Sequence, residues 1–398
     1  MREAVSENSW TRVPFGDIVR LSRERSGDPK EDGFDRYIGL EHLEPGDLKI
    51  RRWGHIADGT TFTNVFRAGQ VLFGKRRAYQ RKVAVADFEG VCSGDIYVLE
   101  SKSTHLLPEL LPFICQTDSF FKHAVGTSAG SLSPRTNWES LATYECALPP
   151  LSEQERLVEA LRAAVCLDEA LRDVREQLRL ARAALAVKYF ADPKDTYRRQ
   201  CSDLISANTL SLQTGPFGTV LKASAYKDRG HPVINPVDMV DGHIIVDRSP
   251  RIGDDDWLRL EKYWMKPGDM LLGRKRHMHN LVFVLHEHKG YVVGSDSIRL
   301  RVDQGSVDAR YFFHLLRSET TQRWLQAQAG GNGTVMPGMN EEIIGRLSVC
   351  LPDLSTQRRI AAQFDELENA HKALVARGEQ AVRIQRALVD TVDEERVE

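Results

Sequence analysis

Leu148-Pro149-Pro150-Leu151-Ser152-Glu153-Gln154-Glu155-Arg156-Leu157 returns later in the chain as Leu351-Pro352-Asp353-Leu354-Ser355-Thr356-Gln357-Arg358-Arg359-Ile360, an offset of 203 residues from 148 to 351. Upstream, Ser133-Pro134-Arg135-Thr136-Asn137 matches Met336-Pro337-Gly338-Met339-Asn340 at the same offset. Further back, Ala68-Gly69-Gln70-Val71-Leu72-Phe73-Gly74-Lys75-Arg76-Arg77 matches Pro267-Gly268-Asp269-Met270-Leu271-Leu272-Gly273-Arg274-Lys275-Arg276, now offset by 199, from 68 to 267. A loose match links Cys92-Ser93-Gly94-Asp95-Ile96 to Gly294-Ser295-Asp296-Ser297-Ile298. Drifting offsets are what loop insertions leave in two diverged copies of one domain. The chain therefore reads as a globular unit (1–150), a long helix (151–191), a second globular unit (192–350) and a second long helix (351–398).

Each helix opens after a proline. Ser152 with Glu155 three residues on has the form of a capping box, whereas Ser355 is followed by Arg358, so the first cap is expected to be the firmer. Leu157, Ala160, Ala164, Leu167, Leu171, Val174, Leu178, Ala181 and Leu185 alternate spacings of three and four, the seam of a coiled coil, and Leu161 is counted with that seam. The second stripe runs Ile360, Phe364, Leu367, Ala370, Leu374, Arg377, Ala381, Ile384 and Leu388, broken only by Arg377. Both exceed an ordinary helix of about 11–12 residues. A helix lying on its own domain would also show such a stripe, but two long seams in one chain can pair with each other. The fold class is accordingly α+β: two β-rich units, an internal tandem repeat, and two long antiparallel coiled-coil helices holding them apart.

Within the units, Tyr37–Leu40, Gln70–Phe73, Lys82–Ala86 and Ile96–Leu99 read as strands, as do Val233-Ile234, Ile244–Val246, Leu281–Leu285 and Ser297–Arg301. Leu106–Val125 and Ala309–Gln328 read as helices, with Phe120 and Trp324 in their cores.

Composition narrows the class. Hydrophobic residues make up 41% and charged residues 28%, with a formal net charge of −2. Any nucleic-acid surface must then be a local patch balanced by acidic faces elsewhere. No apolar run approaches the roughly 20 residues of a membrane helix, and the acidic start Met1-Arg2-Glu3-Ala4-Val5-Ser6-Glu7 is unlike a secretory signal, so a cytoplasmic location without membrane contact is expected. The six cysteines are scattered without C-x-x-C pairs, which points to reduced, structural thiols.

Lys75, Arg76, Arg77, Arg81 and Lys82 fall within eight residues that hold Tyr79 and no acid; Arg274, Lys275, Arg276 and His277 are the counterpart. Each cluster follows a strand and a glycine, so each should project from a strand end where long cations reach phosphates or base edges. A basic run is usually a solvated face, but recurrence at matching points of two diverged copies favours a DNA-binding role. The near-Walker sequence from Gly69 to Arg76 has arginine where magnesium would need Ser or Thr, and its Val-Leu-Phe reads as a strand. His277-x-His279 and His286-x-His288 could meet across a hairpin, but no carboxylate spacing completes a metal site. The glycine-rich loops 126–131 and 330–334 read as flexible connections, and Asn137 and Asn340 as N-caps of short helices. No catalytic, cofactor or metal constellation assembles.

The layout, the Leu-Pro-x-Leu-Ser-x-Gln-x-Arg helix openings and Thr214-Gly215-Pro216-Phe217-Gly218-Thr219 at the start of the second unit resemble the specificity subunits of Type I restriction-modification systems. The likeness covers almost the whole chain. The second opening departs from the family's Pro-Pro-Leu-x-Glu-Gln with Asp353 and Thr356, and the first unit has only Pro14-Phe15-Gly16 where Gly-Pro-Phe-Gly would stand. The resemblance implies two target-recognition domains, each reading half of an interrupted asymmetric site in double-stranded DNA. It implies helices that dock two modification subunits carrying S-adenosylmethionine and the adenine methyltransferase chemistry, with restriction or translocase subunits able to join, and a chain that is itself not an enzyme. A specificity subunit of a Type II multi-subunit system is the near alternative, and a nuclease or helicase component with an unrecognised active site the distant one.

Overall fold

In the computed structural model, residues 10–191, 197–240, 242–275, 280–329 and 338–393 are described. The chain forms two compact units, one of 1–172 with 376–398 and one of 173–375. Each long helix thus starts in one unit and ends in the other.

In the first unit, Val19–Leu21, Ile96–Ser101, Val71–Gly74 and Val83–Val85 form an antiparallel sheet in that order. A second sheet orders Gly54–His55, Arg36–Ile38, Gly90–Cys92 and Asn64–Phe66, its central pair parallel. Strands Thr11–Pro14 and Glu145–Leu148 close the unit as a ribbon. The second unit repeats the plan. Its sheets order Leu210–Thr214, Ser297–Val302, Met270–Gly273, Leu281–Phe283 and, separately, Tyr226–Lys227, Arg251–Ile252, His231–Ile234, Val292–Val293; its ribbon pairs Arg198–Gln200 with Ser348–Cys350. The last pair of the second sheet is again parallel.

The strands read as unbroken apolar runs because both faces are covered. Val71 and Phe73 enter the core shared with the helices, whereas Leu72 enters the core between the two sheets; Tyr97 and Leu99 divide from Ile96 and Val98 in the same way. In the second unit Met270 and Leu272 divide likewise from Leu271. Full burial of such a side chain is worth about 1.5–3 kcal/mol. The two expected helices are each broken in two, giving Leu111–Ile114 with Asp118–Gly126 and Ala309–Arg317 with Glu319–Ala329. The breaks fall at Thr117, whose hydroxyl caps Phe120 N, and at Ser318, whose hydroxyl accepts from Thr321 N. Such side chains offer the backbone a local alternative to continuing the helix. Phe120 is fully buried, while Trp324 only borders its core.

The long helices span Leu151–Ala186, continued by a π-type turn Val187–Ala191, and Leu354–Asp393. In the first unit, Leu157, Val158, Leu161 and Val165 at the start of one helix share a core with Leu388, Val389 and Val392 at the end of the other. In the second unit, Leu185, Ala186, Tyr189 and Phe190 join Ile360, Ala361 and Phe364, with Phe190 stacked on Phe364 at 5.2 Å. Start meets end in both, the antiparallel arrangement expected.

The phase of the seam differs from the one the spacing suggested. Leu161, Ala164 and Leu171 are buried, but Leu167 is 48% and Val174 47% exposed; Val158, absent from the expected stripe, is buried. Leu157, Leu178, Leu367 and Leu374 are half-buried. In the second helix Gly378 takes the inward place assigned to Arg377, which is exposed, and Ile384 is 48% exposed. Gly378, with no side chain, is invisible to a search for large apolar residues although it is buried, whereas Ala381 is buried as the spacing suggested.

The caps are also reversed. Helix one begins at Leu151, so Ser152 lies inside its first turn, and Pro150 O accepts from Glu153 N and Gln154 N. Helix two is capped by Asp353, which accepts from Ser355 Oγ at 2.5 Å, Thr356 N at 3.0 Å and Thr356 Oγ1 at 2.7 Å. Both openings instead share a buried glutamine. Gln154 Oε1 accepts from Leu107 N at 2.9 Å, and its Nε2 donates to His105 O at 2.7 Å and Pro149 O at 2.8 Å. Gln357 Oε1 accepts from Asp308 N at 2.9 Å, and its Nε2 donates to Pro352 O at 2.7 Å. The repeated glutamine therefore ties each helix start to the loop that precedes the helical part of its unit.

Candidate nucleic-acid interface

The two basic clusters occupy one structural position. In the first unit Lys75 N donates to Asp95 O at 3.0 Å and Thr136 N to Lys75 O at 3.1 Å; in the second, Arg274 N donates to Asp296 O and Met339 N to Arg274 O, both at 2.7 Å. The side chains repeat the pairing: Arg76 to Asp95 at 3.2 Å, Lys275 to Asp296 at 3.1 Å. Each unit thus pins the end of a central strand between the start of its neighbour and the segment before the last short helix, and sets two consecutive cations there.

The expected cluster in the first unit is divided by this geometry. Arg76 also donates to Ser133 Oγ at 3.0 Å, and Arg77, in the left-handed region at φ 54°, donates to the same oxygen at 3.3 Å. Arg81 is left-handed as well; its guanidinium meets Gln116 O at 2.9 Å and Asp118 at 2.6 Å and lies over Phe121. Lys82 donates to Leu40 O at 2.6 Å. Both turn back onto the unit rather than outward. Tyr79 remains 56% exposed. Lys75 stands half-buried with Nζ 4.6 Å over the Tyr97 ring, and burial pushes its pKa down although Asp95 pulls it up. Asp95 itself is held below the usual carboxylate range: burial raises it, but hydrogen bonds from Arg135 at 2.8 Å and from Arg76 prevail. Arg276 and His277 lie outside the described residues, as does His279.

The Gly-Pro-Phe-Gly element belongs elsewhere than the comparison with Pro14-Phe15-Gly16 placed it. Phe15 is wholly buried ahead of the first sheet strand, and its N–H donates to Tyr144 O as Cys201 N does to Leu347 O. Gly215 follows the sheet strand instead. Leu21 pairs with Leu99 as Leu212 pairs with Leu300, so the counterpart of Thr214–Phe217 is Arg23-Glu24-Arg25-Ser26. At Gly215 an added Cβ would lie 1.9 Å from Gly294 O, which only glycine avoids. Phe217 beyond it is 63% exposed. Arg23 and Arg25 escaped the sequence reading because they are separated by Glu24 and stand far along the chain from the Lys75 cluster.

Asn137 and Asn340 cap their short helices, accepting from Ser140 N at 2.7 Å and Ile343 N at 2.8 Å. Val71–Gly74 is a buried strand and not a phosphate loop. His286–His288 forms a 3-10 turn in which His288 Nδ1 accepts from Leu285 N. Among the described residues no cluster of three His, Cys, Asp or Glu side chains is placed to hold a metal, and no helix is long and apolar enough to cross a membrane. Cys92, Cys115, Cys146, Cys201 and Cys350 are free and buried, and burial lifts the Cys92, Cys146 and Cys201 thiols to about 12; Cys166 is free and exposed.

Residues 8–177 match the family model described as the Type I restriction modification DNA specificity domain. The chain is 26% identical over 207 residues to the Type I restriction enzyme EcoDI specificity subunit of Escherichia coli; the match takes in 50% of this chain and 46% of that relative, about half its length. Among solved structures, the Type I restriction-modification S subunit of M. genitalium superposes with a TM-score of 0.63 at 13% identity, over 98% of this chain and 97% of the other. A chain from a study of assembly and conformational transition of a type I R-M system gives 0.58 at 19% identity, over 97% and 98%. At these identities the structures speak for the fold. Residues 8–177 thus resemble the Type I restriction modification DNA specificity domain, and the chain as a whole shares the fold of the solved Type I S subunit.

Proposed function

We propose that this chain is the DNA-reading, non-catalytic subunit of its complex, each unit reading one half of an interrupted asymmetric site. The observation that carries the reading is the recurrence of the pinned strand end, with Lys75 and Arg76 in one unit and Arg274 and Lys275 in the other, in a chain of net charge −2. A cation pair kept at one structural position in two copies that share little sequence suits contact with a repeated polyanion. Lys75, Arg76, Arg77, Tyr79, Arg81 and Lys82, with Arg274, Lys275, Arg276 and His277, are the residues at or beside these positions. The long helices dock two modification subunits, which bring S-adenosylmethionine and methylate adenine, and restriction subunits join through them in the cytoplasm. The buried glutamine ties suit that role, since a helix that carries partners must hold its reading unit in a defined orientation.

Methylome sequencing of cells expressing the chain with its neighbouring methyltransferase tests this. Adenine methylation at one bipartite sequence that appears only when both are present is the expected result. Methylation by either alone, or a site that does not change when this chain is exchanged, refutes it.

A further inference from the structure

Beside the pinned strand end of the first unit lies a polar cleft of about 700 Å³, walled by Lys75 and Tyr97 on one side and by Arg23, Arg25, Phe62 and Asn64 on the other. Three cations face it, and none of its described lining residues is acidic. Alternation along the extended chain produces this: Glu24, between the two arginines, is turned away and paired with Arg67, which also binds Glu89 at 2.6 Å. Arg25 is anchored by a backbone bridge to Asn64. Both arginines are exposed and make no ion pair with a described residue, and Lys75 is half-buried while the nearby Asp95 is already shared by Arg76 and Arg135. The second unit places Gly215-Pro216-Phe217 at the corresponding point, so a neutral loop with an exposed aromatic ring replaces the cationic rim.

We propose that this cleft is a backbone-phosphate anchor that the described residues of the second unit do not repeat, Arg23 and Arg25 each gripping a DNA phosphodiester at the rim and Lys75 meeting a third from the wall. The inference rests on the DNA-reading function above. A half-buried ammonium and two exposed guanidinium groups that make no ion pair among the described residues gain counter-charge from the phosphates, and such contacts position a duplex without reading its bases. The unequal rims make the two half-sites unequal in salt sensitivity.

The test uses the full-length chain co-purified with the methyltransferase expressed beside it. Fluorescence anisotropy measures binding of a duplex bearing the methylated site and of an unrelated duplex between 50 and 200 mM salt. Each phosphate contact contributes about 0.9 to the slope of log affinity against log salt. Arg23→Ala with Arg25→Ala should lower the slope by about 1.8 for both duplexes, making affinity about tenfold less salt-sensitive across that range. Lys75→Met should remove about 0.9 independently, and the paired Arg→Lys changes should keep most of the slope. Unchanged circular dichroism and melting show that each variant is folded, and the three variants are read separately. Wild-type slopes in the alanine variant overturn the anchor and leave the DNA-reading function standing; so does a loss confined to the cognate duplex at unchanged slope, which would mean base reading. Absence of salt-dependent binding by the wild-type complex overturns both.

Discussion

Replacing Gln154 by Met keeps the volume of the side chain and deletes all three of its hydrogen bonds, at a position with no solvent exposure. Three bonds at about 1 kcal/mol each sum to about 3 kcal/mol, and the Leu107 N–H left buried without a partner raises the cost to about 4 kcal/mol. Water cannot easily repair the loss, because methionine fills the space. For a unit of this size 1 kcal/mol corresponds to roughly 2–4 °C, so the transition of the first unit should fall by about 8 °C or more. Gln357→Met, which deletes two bonds, should cost about 2–3 kcal/mol and act on the second unit. Calorimetry of the full chain, with urea unfolding followed by circular dichroism, measures both. A loss below about 1 kcal/mol for Gln154→Met, or a larger loss for Gln357→Met, would show that the glutamines do not fasten the helices to their units.

The reversed caps predict that Asp353→Ala lowers the melting temperature measurably while Ser152→Ala leaves it unchanged; hydrogen bonds from Ser355 and Thr356 hold the Asp353 carboxyl down to about 2, so its stabilisation is present above pH 4 and fades as pH falls through that value. His314 is buried with its Nε2 2.7 Å from Asp365, and burial lowers its pKa despite that carboxylate. The unfolded chain therefore takes up this proton first on acidification, and the second unit should lose stability as pH drops below about 6.5, a limb that His314→Gln flattens in pH-dependent urea unfolding. An identical pH profile for wild type and His314→Gln would refute it.

The duplication, the order of units and helices and the strands at Val71–Phe73 and Ile96–Leu99 were legible in the chain, because they rest on local repetition and periodicity. So were the capping roles of Asn137 and Asn340, since a cap is satisfied within three residues of itself. The phase of the helical seam was not: Leu167 and Val174 satisfy the spacing as well as Val158 and Leu161 do, and only the surfaces that the helix meets decide which stripe is covered. Gly378 carries too little apolar weight to mark a stripe that burial nonetheless assigns it. The basic run Lys75–Lys82 was legible as a cluster, yet which of its cations turn outward depended on two left-handed residues, Arg77 and Arg81, and on Asp118, which is remote in sequence. Arg23 and Arg25 joined Lys75 only through the pairing of the preceding strand Val19–Leu21 with Ile96–Ser101, a contact about 80 positions distant in the chain. Sequence by itself determines what short-range geometry can enforce, namely repeats, strands and caps. Which polar groups share a buried partner or a common cleft is settled by tertiary packing, because burial makes a hydrogen bond or a charge costly to leave unmet and so selects one arrangement among many that the chain allows.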